Sequence, residues 1–343
     1  MRRRRVLLLV HEGLEPPDSI EGMSSQEVSP FKAEYDVRHT VEELGHEVRV
    51  LGLGDELAPL RETIREFRPH VAFNLLVHFR GLANLDAHVV SYLELQRLAY
   101  TGVNPRGLVL ANDKALSKKI LAFHRIRVPR FAVFRKGRRV ARPSKLEFPL
   151  IVKGATEHAS LGIAQASVVR NDEDLVDRVD YIHRKVCLEA IAEEYIEGRE
   201  LTVGVLGNQR LLTSPVWELS FDNLPAGSQP IATSKVKWDH AYQKRIGLRS
   251  EAARDLPESV GEKLESLAKR IYRVLGLSGY ARIDLRMKAD GKVYVLEANP
   301  NPDLSFGEDF AEGMEARGLG YPGLVDKLIG LGIRYARSSG FSE

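Results

Sequence analysis

The chain has 343 residues, 43% of them apolar, with 50 lysines and arginines against 47 aspartates and glutamates, a formal charge of +3. That length allows two or three domains, each large enough to bury a core, and argues against disorder as the main state. The longest wholly apolar runs, such as Val6–Val10, fall far short of the ~18–20 residues of a membrane span. The near balance of charge, with basic groups in short runs such as Arg135–Arg139, argues against a dedicated nucleic-acid binder.

Arg2 to Arg5 imitate the start of a secretory signal, but the apolar run after them is short and ends at His11-Glu12, so it reads as a first strand with a basic lead-in. Helical and strand-like runs then alternate: Phe31–Leu44, Glu47–Leu51, Leu57–Phe67, His70–Leu76 and Asp86–Leu98. This βαβαβ pattern predicts a parallel sheet. The long segment from His11 to Pro30, with its adjacent prolines, glycines and serines, reads as a functional loop. After a turn at Tyr100–Pro105, Asn112-Asp113-Lys114 opens a helix to about His124.

A second unit comes next, with strands expected at Arg130–Phe134, Leu150–Lys153, Ala164–Val169, Val186–Glu193 and Glu200–Leu206 and a charged helix at Asp172–His183. A third carries a strand at Arg210–Trp217, a polar stretch at Asp222–Lys244, a helix at Leu256–Leu275 and strands at Gly279–Met287 and Lys292–Ala298. The units divide as 1–111, 112–206 and 207–343, the first α/β and the others α+β. Cys187, the single cysteine, excludes an intrachain disulfide and suits a reducing cytoplasm; within Val186-Cys187-Leu188 it reads as a small buried strand residue.

Three stretches carry chemistry. In Ala281–Arg286 and Val293–Pro302, strand alternation puts Arg282 and Asp284 on one face and points Glu297 and Asn299 together. Two carboxylates and an amide oxygen suit a hard cation such as Mg²⁺. Lys153 ends an apolar strand and is succeeded by a loop of small residues, with Ser160 and Gly162, able to surround a polyphosphate with donors; His158 lies in the same loop. Glu193-Glu194-Tyr195-Ile196-Glu197-Gly198-Arg199-Glu200 leaves a strand with acidic groups spaced to reach an adenine amino group and a ribose; alone, it fits a salt-bridged surface turn equally well.

In this order the stretches resemble the ATP-grasp superfamily, most closely its D-alanine–D-alanine ligase group, over nearly the whole chain, including Leu93-Glu94, Tyr100-Thr101-Gly102, Asn112-Asp113-Lys114 and Ser117-Lys118. The resemblance implies a three-domain ATP-grasp fold with an N-terminal parallel α/β domain. It also implies an ADP-producing ligase that joins small-molecule carboxylate and amine substrates through an acyl phosphate, using ATP and Mg²⁺ or Mn²⁺, as a cytoplasmic protein for which a homodimer is an option. Lys114 and Lys153 then contact nucleotide, Glu193, Tyr195 and the Ile196 backbone surround adenine, and Glu200 holds ribose. Ser160 and Gly162 cover phosphate, Asp284, Glu297 and Asn299 hold metal, and Arg282 stabilises the transferring phosphoryl group. Lys235, Lys237, Trp238 and Tyr242 fall where the family has a mobile loop.

Departures from the family concern its substrates. Leu82–Asp86 stands in place of Gly-Glu-Asp-Gly, Ala159 in place of a serine, and Asp303 in place of a glycine at the acceptor end. Glu27-Val28-Ser29 echoes the amine-binding motif, and His78 closes the third strand, where open α/β sheets collect ligands. These features favour a carboxylate–amine ligase acting on an amino acid or small peptide. A D-alanine–D-alanine ligase, a catalytically inactive nucleotide-binding partner protein and a kinase that stops at phosphoryl transfer stay open as alternatives.

Overall fold

The computed structural model describes residues 3–156, 162–233, 235–236 and 239–341. Strand β1 (Arg5–His11) pairs in parallel with β2 (Glu47–Leu53) and β3 (Val71–Asn74), in the order β2-β1-β3. Around them run α1 (Ser25–Val28), α2 (Lys32–Glu43), α3 (Ala58–Phe67) and α4 (Asp86–Leu95). The apolar run of β1 is unbroken because both of its faces are covered. Leu7 and Leu9 share a core with Val90 and Leu93 of α4, whereas Val6 and Leu8 share one with Val37 and Val41 of α2.

A short helix, α5 (Pro105–Asn112), separates the expected turn from the expected helix, which forms as α6 (Lys114–Phe123). Local chemistry fixes both starts. The Asn104 side chain accepts from Gly107 N and Pro105 opens α5, while the Asp113 side chain accepts from Leu116 N and opens α6.

The second sheet has the order β4-β7-β5-β6 and is antiparallel: β4 (Phe131–Phe134), β5 (Leu150–Gly154), β6 (Val168–Val169) and β7 (Ala190–Glu194). Helix α7 (Asp172–Tyr181) lays Leu175 and Val179 against Leu150, Val152 and Val169. Two expected strands are shorter here. Residues 164–169 form a 3₁₀ turn before a two-residue strand, and Val186 belongs to a wide helical turn, Ile182–Val186. Cys187 comes directly after that turn at φ 62° and is exposed, so it is not the buried strand residue expected.

The third sheet has six strands: β8 (Arg199–Leu206), β9 (Leu212–Thr213), β10 (Trp217–Phe221), β11 (Leu248–Ala252), β12 (Tyr280–Met287) and β13 (Val293–Pro300). Its path is β11-β10-β8-β12-β13, with β9 beside β8. The chain therefore changes sheets between Glu194 and Arg199, ahead of the division expected at 206/207. The single strand expected at Arg210–Trp217 is two, β9 and β10, interrupted around Pro215, which has no N–H for a ladder. Helix α8 (His240–Ile246) forms at the end of the polar stretch and leads through Gly247 into β11. Helix α9 (Glu258–Val274) places Leu264, Ala268 and Ile271 against Leu201, Val203, Ile283 and Leu285. Beyond the last element read from the sequence, α10 (Asp309–Glu315) and α11 (Tyr321–Ser338) return to the first unit, where Leu324 and Leu328 join Val6, Leu8 and Val37. Among the described residues no helix is long and apolar enough to cross a membrane.

Candidate active site

Strand alternation on β12 sets the geometry of the site. Ile283 and Leu285 face the core, so Arg282, Asp284 and Arg286 all face the other way. Antiparallel pairing sets Arg282 opposite Asn299 and Asp284 opposite Glu297, with an irregularity after Asp284 that absorbs one extra residue of β13. Arg282 grips Asp284 with two hydrogen bonds, Nε to Oδ1 at 2.8 Å and Nη2 to Oδ2 at 3.0 Å; Asn299 Nδ2 adds a third to Asp284 Oδ2 at 2.8 Å. Burial works against the charge of Arg282, but Asp284, reinforced by Asp309 and Glu297, outweighs it and holds the guanidinium ionised.

The second sheet and α6 contribute lysines to the same place. Lys118 Nζ and Lys153 Nζ converge on one oxygen, Glu193 Oε1, at 3.1 and 3.4 Å. Lys153 also lies 3.9 Å from Glu297 Oε2, and Lys114 lies 3.6 Å from that oxygen. Lys118 additionally donates to the carbonyl of Leu296 on β13, so α6, β5 and β13 meet around these ammonium groups. Both Lys118 and Glu193 are 1% exposed, a placement that only mutual pairing makes tolerable. Burial nevertheless pushes the Lys118 pKa down to about 8, whereas for Lys153 the two glutamates overcome burial and keep it above the ordinary lysine value.

Lys118 was part of the family resemblance without a role of its own, yet it sits at the centre of the cluster. Its spacing from Lys114, four residues along one helix, is the signal that both lysines share a face. Arg286 is the second omission, and its signal is the same alternation that identified Asp284. It donates to Glu200, which stands directly opposite it on β8. Burial raises the Glu200 pKa, opposed by Arg286; burial also raises that of Tyr195, whose hydroxyl takes a 3.4 Å contact from Arg286. Ile196 is buried beside this turn, and Gly162, at φ +74°, presents its carbonyl to Arg178.

The candidate substrate residues are more dispersed. His78 lies just past β3 and stacks on His11 at the end of β1, ring centroids 3.7 Å apart, and His11 Nε2 accepts from Val77 N. Burial, with His78 adding, pushes the His11 pKa down to about 4. Glu27 uses its carboxylate locally: Oε2 accepts from Ser24 N and Oγ in a capping box at the start of α1. Asp303 accepts from Ser305 N and Oγ, both at 2.7 Å. Near it lies Glu34, whose pKa is pushed up to about 7 by burial, with Asp303 adding. Ser160, Lys237 and Trp238 lie outside the described residues, as does His158.

The donor set of Asp284, Glu297 and Asn299 is all oxygen once the amide presents its carbonyl side. Among the described residues no group of three or more histidine, cysteine, aspartate or glutamate side chains gathers to hold a metal, and this set brings two carboxylates and one amide. Hard donors of this kind fit Mg²⁺ or Mn²⁺, ions that are commonly held by one or two carboxylates together with phosphate oxygens.

Over most of its length the chain is similar to known proteins. A family model described as "D-ala D-ala ligase C-terminus" matches residues 120–330. An uncharacterised Sinorhizobium fredii protein, y4sG, is 30% identical over 306 residues, covering 86% of this chain and 85% of the relative. The D-alanine–D-alanine ligase of Desulforudis audaxviator is 29% identical and spans 90% of this chain and 95% of its own. Among solved structures, the Bacillus anthracis D-alanine–D-alanine ligase complexed with ATP superposes with a TM-score of 0.75 at 22% identity, covering 98% of this chain and all of that one.

Proposed function

Because the chain belongs to the D-alanine–D-alanine ligase family and is an ATP-dependent carbon–nitrogen ligase, we propose that it joins two amino acids through an acyl phosphate, with D-alanine the first substrate to test at both subsites. The observation that carries the reading is the meeting of Lys118 and Lys153 with Arg282, Asp284 and Glu297 where two sheets adjoin. An oxygen of the donor carboxylate attacks the γ-phosphorus of ATP and ADP leaves. The amine of the acceptor then attacks the activated carbonyl, and phosphate leaves with the oxygen that attacked it.

Such a transfer is accelerated mainly by positioning and by neutralising charge on the phosphoryl oxygens. Lys114, Lys118 and Lys153 supply ammonium groups for the phosphates. Arg282, already fixed by Asp284, supplies a guanidinium for the transferring group and for the oxyanion of the second step. Asp284, Glu297 and Asn299 would hold Mg²⁺ or Mn²⁺, which when bound neutralises phosphate charge. Glu193, Tyr195 and the Ile196 backbone border adenine and Glu200 the ribose, with Ser160 and Gly162 over the phosphates. The setting proposed is cytoplasmic, with a homodimer as an option.

A second reading concerns the acceptor alone. Asp303, where the chain departs from the family pattern, interacts with the nearby Glu34, and its carboxylate favours an acceptor with a cationic or hydrogen-bond-donating group over one that presents a carboxylate there. The test is phosphate release from ATP with D-alanine alone and with D-alanine paired with basic amino acids and amines, the products identified by mass spectrometry. D-Alanyl-D-alanine as the main product supports the first reading, and a mixed product made in preference to it supports the second. Phosphate release that no amino acid stimulates contradicts both.

A further inference from the structure

Arg286 is only 3% exposed, and its guanidinium reaches two separate segments, residues 195–200 and Pro230. Nη2 donates to Glu200 and, at 2.5 Å, to the carbonyl of Pro230; Nη1 donates to the carbonyl of Gly198 at 3.2 Å and contacts the Tyr195 hydroxyl at 3.4 Å. The same group lies 5.5 Å from the centre of the Tyr195 ring. A planar fork bonded this way fixes its partners relative to one another, which a lysine ammonium at the same place does not.

The Pro230 contact gives this hub its reach. One residue earlier, Gln229 is held from the other side by Gln165 in a reciprocal amide pair, Gln165 Nε2 to Gln229 O at 3.0 Å and Gln229 N to Gln165 Oε1 at 2.8 Å. Gln165 leads into β6 of the four-stranded sheet, whereas Arg286 sits on β12 of the six-stranded one. Gln229-Pro230 is therefore a strap between the two sheets, and Ile231 just beyond it is buried.

We infer that Arg286 is a positioning residue that fixes the Glu200 carboxylate for a ribose hydroxyl and ties it to the strap, so that sugar recognition and the spacing of the two sheets are set together. The inference rests on the reading of Glu200 as the ribose contact. Arg286 takes Glu200 Oε2, so the sugar meets a carboxylate already oriented through its other oxygen. Without the guanidinium, Glu200 keeps its burial but loses the group that opposes protonation. The strap likewise loses its hold on the six-stranded side while Gln165 retains the other end.

The test is the dissociation constant of ATP against those of 2′-deoxy-ATP and 3′-deoxy-ATP for the parent protein, Arg286→Met, Arg286→Lys and Glu200→Gln, each first checked for folding by circular dichroism. The parent should prefer ATP over at least one deoxy analogue by roughly tenfold, the scale of one hydrogen bond to a charged group. Glu200→Gln should remove most of that preference. Arg286→Met should reduce it about fivefold and Arg286→Lys at least about twofold, because the ammonium restores charge but not the fork. The lysine variant keeps the buried charge balance and decides the matter if the methionine variant does not fold. A parental preference in the arginine variants, or equal weakening of ATP and both analogues, overturns the inference while loss in Glu200→Gln leaves the ribose reading intact. No preference in the parent, or an unchanged one in Glu200→Gln, overturns the ribose reading and the inference with it.

Discussion

The two sides of the site handle buried charge in opposite ways. On the six-stranded sheet Asp284 is gripped by Arg282 and Glu200 by Arg286, each pair formed by strand neighbours whose alternation or register brings them together. On the other side Lys118 and Lys153 share a single carboxylate oxygen, and burial leaves Lys118 with a depressed pKa. The first side pairs its charges between strand neighbours, whereas the second carries ammonium groups that, on the proposed reading, a polyphosphate would stabilise. Glu297, on the first sheet but within reach of Lys114 and Lys153, joins the two.

Breaking that junction should have the largest effect. Glu297→Gln keeps size and one oxygen donor but removes the charge shared by the metal set and the lysines, and it should lower turnover by roughly two to three orders of magnitude with the fold intact. Chelation by EDTA should do the same to the parent, and added Mg²⁺ or Mn²⁺ should restore it; full activity in EDTA or in the variant would contradict the assignment. The lysine side alone should give a smaller loss. Lys153→Met removes a charge-assisted contact worth about 1.5–3 kcal/mol, so ATP binding, read by calorimetry, should weaken roughly tenfold to a hundredfold. Unchanged affinity would remove Lys153 from the nucleotide site.

The smallest effect sharpens the contrast through pH. Lys118 has a folded pKa of about 8 against an ordinary 10.5, so between these values the unfolded chain holds a proton that the folded chain has released. Stability from this group therefore rises with pH across that window, and below pH 8 the cost of burying the charge is carried in full. Lys118→Met should lower the Tm at pH 7, because it leaves the buried Glu193 with Lys153 alone, flatten the rise of Tm from pH 8 to 10, and weaken ATP binding several-fold. A variant whose Tm tracks pH as the parent's does would show that Lys118 carries no such penalty.

What could be read in the sequence divides along a similar line. Groups placed by strand alternation were legible: the facing of Arg282 with Asp284, and of Glu297 with Asn299, needs only period two and a hairpin. The leading parallel sheet was legible too, since unbroken apolar strands between amphipathic helices leave little other choice. Partnerships across elements were not. Nothing local tells Lys118 of α6 that it meets Glu193 of β7, or Arg286 that it holds the carbonyl of Pro230. Cys187 failed for a related reason: its apolar neighbours suggested a strand, but the wide turn at the end of α7 puts it at a positive φ facing solvent. Glu27, a motif-like glutamate, uses its carboxylate in its own helix cap, a local partnership that its resemblance to the amine-binding motif does not announce.

Isotope transfer tests the central claim, carboxylate activation by phosphoryl transfer, most directly. With D-alanine labelled by ¹⁸O in its carboxylate, Mg²⁺ and ATP, the phosphate released during dipeptide formation is analysed by mass spectrometry, and the same is done with any mixed donor and acceptor pair that turns over. The acyl-phosphate route requires one labelled oxygen to pass from the donor carboxylate into each phosphate, with ADP as the other product. Phosphate free of label while product accumulates would mean that the carboxylate never attacked the γ-phosphorus, and would contradict the account.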